Sequence, residues 1–147
     1  MLLNLLTGLP VMLLCLVMQA VFVAICLRRY ARFKQAHQGR ESFLFATTLL
    51  SMVMLLMLFS NFVQMCIWAT LFMLLGEFSE FGAALYFSAV NFATLGYGDI
   101  VMSDRWRLLG PLEAATGILM FGVSTAVMTA AVLDVVKFSN AKPKPDD

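Results

Sequence analysis

Thr94-Leu95-Gly96-Tyr97-Gly98-Asp99, preceded by Gly82-Ala-Ala-Leu-Tyr-Phe-Ser-Ala-Val-Asn-Phe92, decides how this chain folds. Both segments lie between Glu77 and Arg107. The first half of that connection is too apolar for an exposed loop, and the second is rich in small and turn-forming residues. The apolar half predicts a helix over residues 81–92, about three turns long, where a bilayer crossing takes about 20 residues. A re-entrant helix fits. Non-helical backbone following it is tolerated at membrane depth only where it is buried in protein or lines a water-filled path.

Outward from that segment the chain is apolar almost everywhere. Of its 147 residues 61% are hydrophobic and 13% charged, against roughly 45–50% and about 25% in soluble domains. A chain this short has one modest core, so the surplus must face lipid. Three stretches are long enough to cross: Leu9 to Leu27, Phe43 to Leu75 and Leu108 to Val136. The second would extend about 50 Å as a helix against a hydrocarbon core of about 30 Å, so it must tilt or project. No Lys or Arg precedes the first stretch and no small-x-small site closes it. With Arg28 and Arg29 at its end, it is expected to be a retained span and not a cleaved leader.

Charge sets the orientation. Arg28, Arg29, Arg32, Lys34 and Arg40 follow the first span, and Lys137, Lys142 and Lys144 follow the third. By the positive-inside rule both segments are cytoplasmic, the 77–107 connection is outside, and the N-terminus is outside. The formal net charge of +1 excludes a nucleic-acid binder of the ordinary basic kind. Cys15, Cys26 and Cys66 are isolated in apolar runs with only His37 to share a metal, and are expected to face lipid or to pack. No set of His37, Cys and carboxylates suggests an enzyme. Residues 138–147, with Lys-Pro-Lys-Pro-Asp-Asp, are expected to be a disordered tail.

With its outer position fixed, Thr94 to Asp99 resembles the selectivity filter of the potassium-channel pore family, Thr-Val/Ile-Gly-Tyr-Gly-Asp, with Leu95 in the Val/Ile place. The resemblance implies that Thr94, Leu95, Gly96, Tyr97 and Gly98 form the filter. Potassium would be coordinated at Thr94, Leu95, Gly96 and Tyr97, whose oxygens replace its lost water. Aiming successive carbonyls at one axis requires alternating ordinary and positive φ, which glycine adopts cheaply, and Gly96 and Gly98 suit those places. Asp99 would brace the outer mouth, with Tyr86 and Phe87 of the short helix as further support. That helix would turn the negative end of its dipole toward the ion path. Ala93 departs from the family pattern, in which many members carry a second threonine. The departure removes one hydroxyl at the inner end of the filter.

The third span resembles the family's inner, pore-lining helix. Gly117 and Gly122 are candidates for a gating hinge or for close helix packing, with Gly117 the better hinge by its place in the resemblance. Ser124, Thr125 and Thr129 are placed to face a cavity. Glu113, an ionisable group inside an apolar span, is expected to be a brace, its partner Arg105, Arg107 or the base of the short helix. Asn61 and Gln64 are expected to bond to a neighbouring helix. Asp134 is expected in headgroup water.

The expected fold is an all-α membrane protein of three transmembrane helices with a re-entrant pore helix and filter loop, assembled as a tetramer. Residues 1–42 form a first helix and basic loop, and 43–137 a pore module with outer helix, pore helix 81–92, filter 94–98 and inner helix 108–136. The resemblance implies a homotetrameric, potassium-selective channel without voltage sensor or attached ligand-binding domain, in lipid, with potassium as permeant ion and no cofactor, nucleic acid or small-molecule substrate. The bare chain suggests a bacterial inner membrane. The alternatives are a non-conducting or regulatory subunit that co-assembles with another channel, or a subunit of a potassium transporter.

Overall fold

The computed structural model describes residues 1–36 and 43–140. Among them are four helices and no strand: α1 Leu2–Ala36, α2 Phe43–Leu74, α3 Phe81–Phe92 and α4 Leu109–Asn140. Helices α1, α2 and α4 are each long and apolar enough to cross a membrane, and α3 is too short. The chain is an all-α integral membrane protein. Its α3 spans the expected residues.

Helix α1 is longer than its apolar stretch and runs from Leu2 through the basic Arg28 to Arg32 segment. Pro10 lies inside it, a position tolerated in membrane helices because neighbouring helices satisfy the freed backbone. Helix α4 begins at Leu109, which places Pro111 in its first turn, where a missing N–H leaves no bond unmade. The helix continues through Phe138, Ser139 and Asn140, three residues expected in the tail. The rest of that tail, together with His37, Arg40, Lys142 and Lys144, lies outside the described residues.

The three long helices pack on one another, and α3 packs between α2 and α4. One apolar cluster fills the half of the bundle around α3 and includes Cys15, Trp68, Phe72, Phe92, Leu109 and Met120. A smaller one around Cys26, Val53, Met57 and Ala131 fills the other half. Cys15 and Cys26 are packing residues, and Cys66 is half-buried.

Polar side chains cross the bundle at three levels, each joining α1 to the rest. Asn4 Nδ2 donates to the Arg105 carbonyl at 2.8 Å. Midway, Gln19 Oε1 accepts from Ser60 Oγ at 2.6 Å and from Gln64 Nε2 at 2.8 Å. Asn61 Nδ2 reaches Ser124 Oγ on α4 at 3.4 Å. Gln64 therefore bonds to α1 and Asn61 to α4. Toward the far end Tyr30 donates to Asp134 Oδ2 at 2.6 Å. Asp134 is half-buried and tied to α1 by this bond.

Candidate ion-conducting site

The site is built from the C-terminal end of α3. Ala93 N–H closes onto the Ala89 carbonyl, Thr94 N–H onto Asn91 at 2.8 Å and Leu95 N–H onto Val90 at 2.9 Å. Thr94 has φ +59°. These bonds, with a left-handed residue just past the cap, make a Schellman ending. Glycine usually occupies that left-handed position. A β-branched threonine there is strained by roughly 1–2 kcal/mol, and its hydroxyl is retained at that cost.

The left-handed residues then recur at every second position: Thr94, Gly96 (φ +55°) and Gly98 (φ +73°). Sequence reasoning anticipated the two glycines and missed Thr94, because a β-branched side chain argues against positive φ. The signal was available in the spacing, since Thr94 stands two residues before Gly96. Among the described residues, none of the carbonyls from Thr94 to Gly98 accepts a backbone hydrogen bond. All six residues from Thr94 to Asp99 are exposed in the single chain.

The helix carrying this segment is held between α2 and α4. Ser88 Oγ lies 2.8 Å from the Met65 carbonyl on α2 and is hydrogen bonded to Glu113 Oε1 on α4. Phe87 packs edge-on against Phe72, with ring centres 5.4 Å apart, and contacts Phe78 at 5.3 Å. At the end of α3, Gly117 meets the Phe92 backbone so closely that a Cβ would stand 1.9 Å from the Phe92 oxygen. Gly117 is therefore a packing glycine, whereas no atom lies within 4 Å of a Cβ built on Gly122.

Glu113 is wholly buried and its partner is Ser88. Neither arginine considered for it is used: Arg107 pairs with Asp104 at 3.1 Å, and Arg105 lies over the Trp106 ring at 5.2 Å. Thr125 and Thr129 are exposed and bond back to Phe121 and Thr125 carbonyls, while half-buried Ser124 turns to α1 and α2.

Beyond the glycines, Asp99 Oδ2 accepts from the Tyr86 hydroxyl at 2.7 Å. That bond, with the N–H groups of Asp99 and Ile100, holds the carboxyl below its ordinary range. The same bond raises the Tyr86 phenol. A second clamp went unanticipated. Glu77 accepts from Ser103 N–H at 2.8 Å and from Ser103 Oγ at 2.6 Å, joining the two ends of the connection. Nothing in the sequence distinguishes this pair from other loop residues. No group of three His, Cys, Asp or Glu side chains among the described residues is placed to hold a metal.

A family model described as an ion channel matches residues 51–134. No curated protein and no solved structure matches. The matched residues take in most of α2, all of α3, the 94–99 segment and most of α4, and leave α1 outside. More than half of the chain is covered, and the chain belongs to the ion-channel family built on the potassium-channel pore domain.

Proposed function

We propose that the chain is one subunit of a tetrameric potassium-selective channel, with Thr94, Leu95, Gly96, Tyr97 and Gly98 as its filter. One observation carries this: among the described residues carbonyls 94 to 98 have no backbone partner, and positive φ recurs at every second residue, 94, 96 and 98, the alternation needed to aim successive carbonyls at one axis. At membrane depth an unpaired carbonyl costs several kcal/mol unless water or a cation meets it. A dehydrating potassium ion needs such oxygens, so the two deficits cancel.

A single strand offers oxygens from one side only. Four copies about a closed axis complete the ring. Such assembly also covers Leu95 and Tyr97, which are 54% and 64% exposed in the lone chain. The negative end of α3 points to the start of the strand and favours a cation there. Asp99 at the outer end concentrates cations. The basic segments after α1 and α4 support an outer position for residues 94–98 and a cytoplasmic C-terminus.

The test is flux. Purified protein in liposomes should take up rubidium against a potassium-loaded interior, with block by barium and exclusion of sodium. Gly96→Ala, which forces a Cβ onto φ +55°, should abolish it. Wild-type protein that passes no rubidium, or sodium equally, would overturn the proposal.

A further inference from the structure

The Ser88 hydroxyl meets two oxygens at once, the Met65 carbonyl at 2.8 Å and Glu113 Oε1. A serine hydroxyl carries one proton. A backbone carbonyl can only accept, so the Ser88 proton belongs to Met65. The contact with Glu113 then needs a proton from the carboxyl itself. Were Glu113 ionised, one of the two contacts would set bare oxygens against each other.

The surroundings agree. Glu113 and Ser88 are both wholly buried. Facing Glu113 are Cys15 from α1, the Met65 carbonyl from α2 through Ser88, and Ser88 itself from α3. Both nearby arginines are engaged elsewhere, with Asp104 and with Trp106. Among the described residues, Glu113 Oε2 has no hydrogen-bond partner. A carboxylate so placed carries a large desolvation penalty, whereas a neutral acid leaves only a carbonyl oxygen unpaired.

We propose that Glu113 stands as a neutral carboxylic acid and donates to Ser88, which donates to Met65, a directed chain tying α4 through α3 to α2. Glu113 is then a positioning residue for the filter. Ser88 sits on the same short helix that ends in Thr94, so the relay fixes where the first filter oxygen stands. The positioning role rests on the channel function proposed above. The protonation state does not.

Infrared spectra of the full chain in liposomes at neutral pH test the state directly. A carboxylic-acid C=O stretch should be present in the wild type and absent from Glu113→Gln; no such difference would overturn the assignment. Flux of rubidium tests the role. Glu113→Gln keeps a donor for Ser88 and should conduct like the wild type, while Glu113→Leu leaves Ser88 without one and should lose flux by about tenfold or more. A Gln variant as impaired as Leu would overturn the donor role, and wild-type flux in Leu would overturn positioning. Should Glu113→Leu fail to fold, the spectrum and the Gln variant decide. A wild type with the acid band but no flux would sink the channel reading and leave the protonation assignment standing.

Discussion

Replacing Gly117 by alanine strikes a contact through which α4 meets the α3 backbone that leads into residues 94–98. A Cβ there would stand 1.9 Å from the Phe92 oxygen, 2.8 Å from its carbonyl carbon and 3.1 Å from its Cα. Carbon and carbonyl oxygen ordinarily meet at roughly 3.3–3.6 Å, so α3 and α4 must part by about 1.5 Å. No flexible side chain can yield instead. Phe92 is the last residue of α3, and the next turns are clamped by the Thr94 and Leu95 bonds to Asn91 and Val90. Moving the carbonyl moves Thr94. Overpacking of this kind costs about 1–3 kcal/mol. At about 1.4 kcal/mol per decade, that is roughly a five- to 150-fold loss in folding equilibrium, or an equivalent distortion of the strand. Thermal unfolding in detergent and rubidium flux in liposomes should both fall for Gly117→Ala. Gly122→Ala, with open space at its Cβ, should leave the unfolding of the chain within about 0.5 kcal/mol of wild type. Wild-type unfolding and flux in Gly117→Ala would refute the reasoning.

The other expectations concern polar ties. The Asp99 carboxyl is depressed below its ordinary 3.8 chiefly by the Tyr86 hydroxyl, so its contribution is present above that value and lost only as pH falls through the lower one. Tyr86→Phe should therefore shift the acid loss of flux to higher pH, and an unchanged midpoint would refute this. Gln19→Leu strips Ser60 and Gln64 of their shared acceptor and should destabilise the chain by about 0.6–1.7 kcal/mol in unfolding measurements, the range for buried polar pairs in membranes. Tyr30→Phe removes the 2.6 Å bond to Asp134. It should cost about 1 kcal/mol, and equal stability in both proteins would deny the tie any weight.

Much of the architecture was legible because a bilayer imposes simple demands. Length and apolarity give the spans, and the brevity of residues 81–92 gives the short helix, whose ends fall where expected. The Gly96 and Gly98 conformations follow from the absence of a side chain. Contacts between helices were less accessible. Every long helix is apolar around most of its circumference, so no periodicity says which face meets which neighbour. That is why Gln19, Asn4 and Tyr30 gave no sign of their partners, which lie 41, 101 and 104 residues away. Glu113 stood out in the sequence as an ionisable group inside an apolar span, but its pairing with Ser88 depends on how α4 lies against α3. The positive φ of Thr94 was missed for a different reason: the helix ending overrides the intrinsic preference of a β-branched residue.

The most direct measurement is the reversal potential of wild-type protein in a planar bilayer with potassium on one side and sodium on the other. If the turned carbonyls of residues 94–98 line a filter built for a dehydrated potassium ion, the current should reverse close to the potassium equilibrium potential. Gly96→Ala should carry no such current. Reversal near zero under the same gradient would mean that sodium passes as freely as potassium, and would contradict a selective filter at these residues.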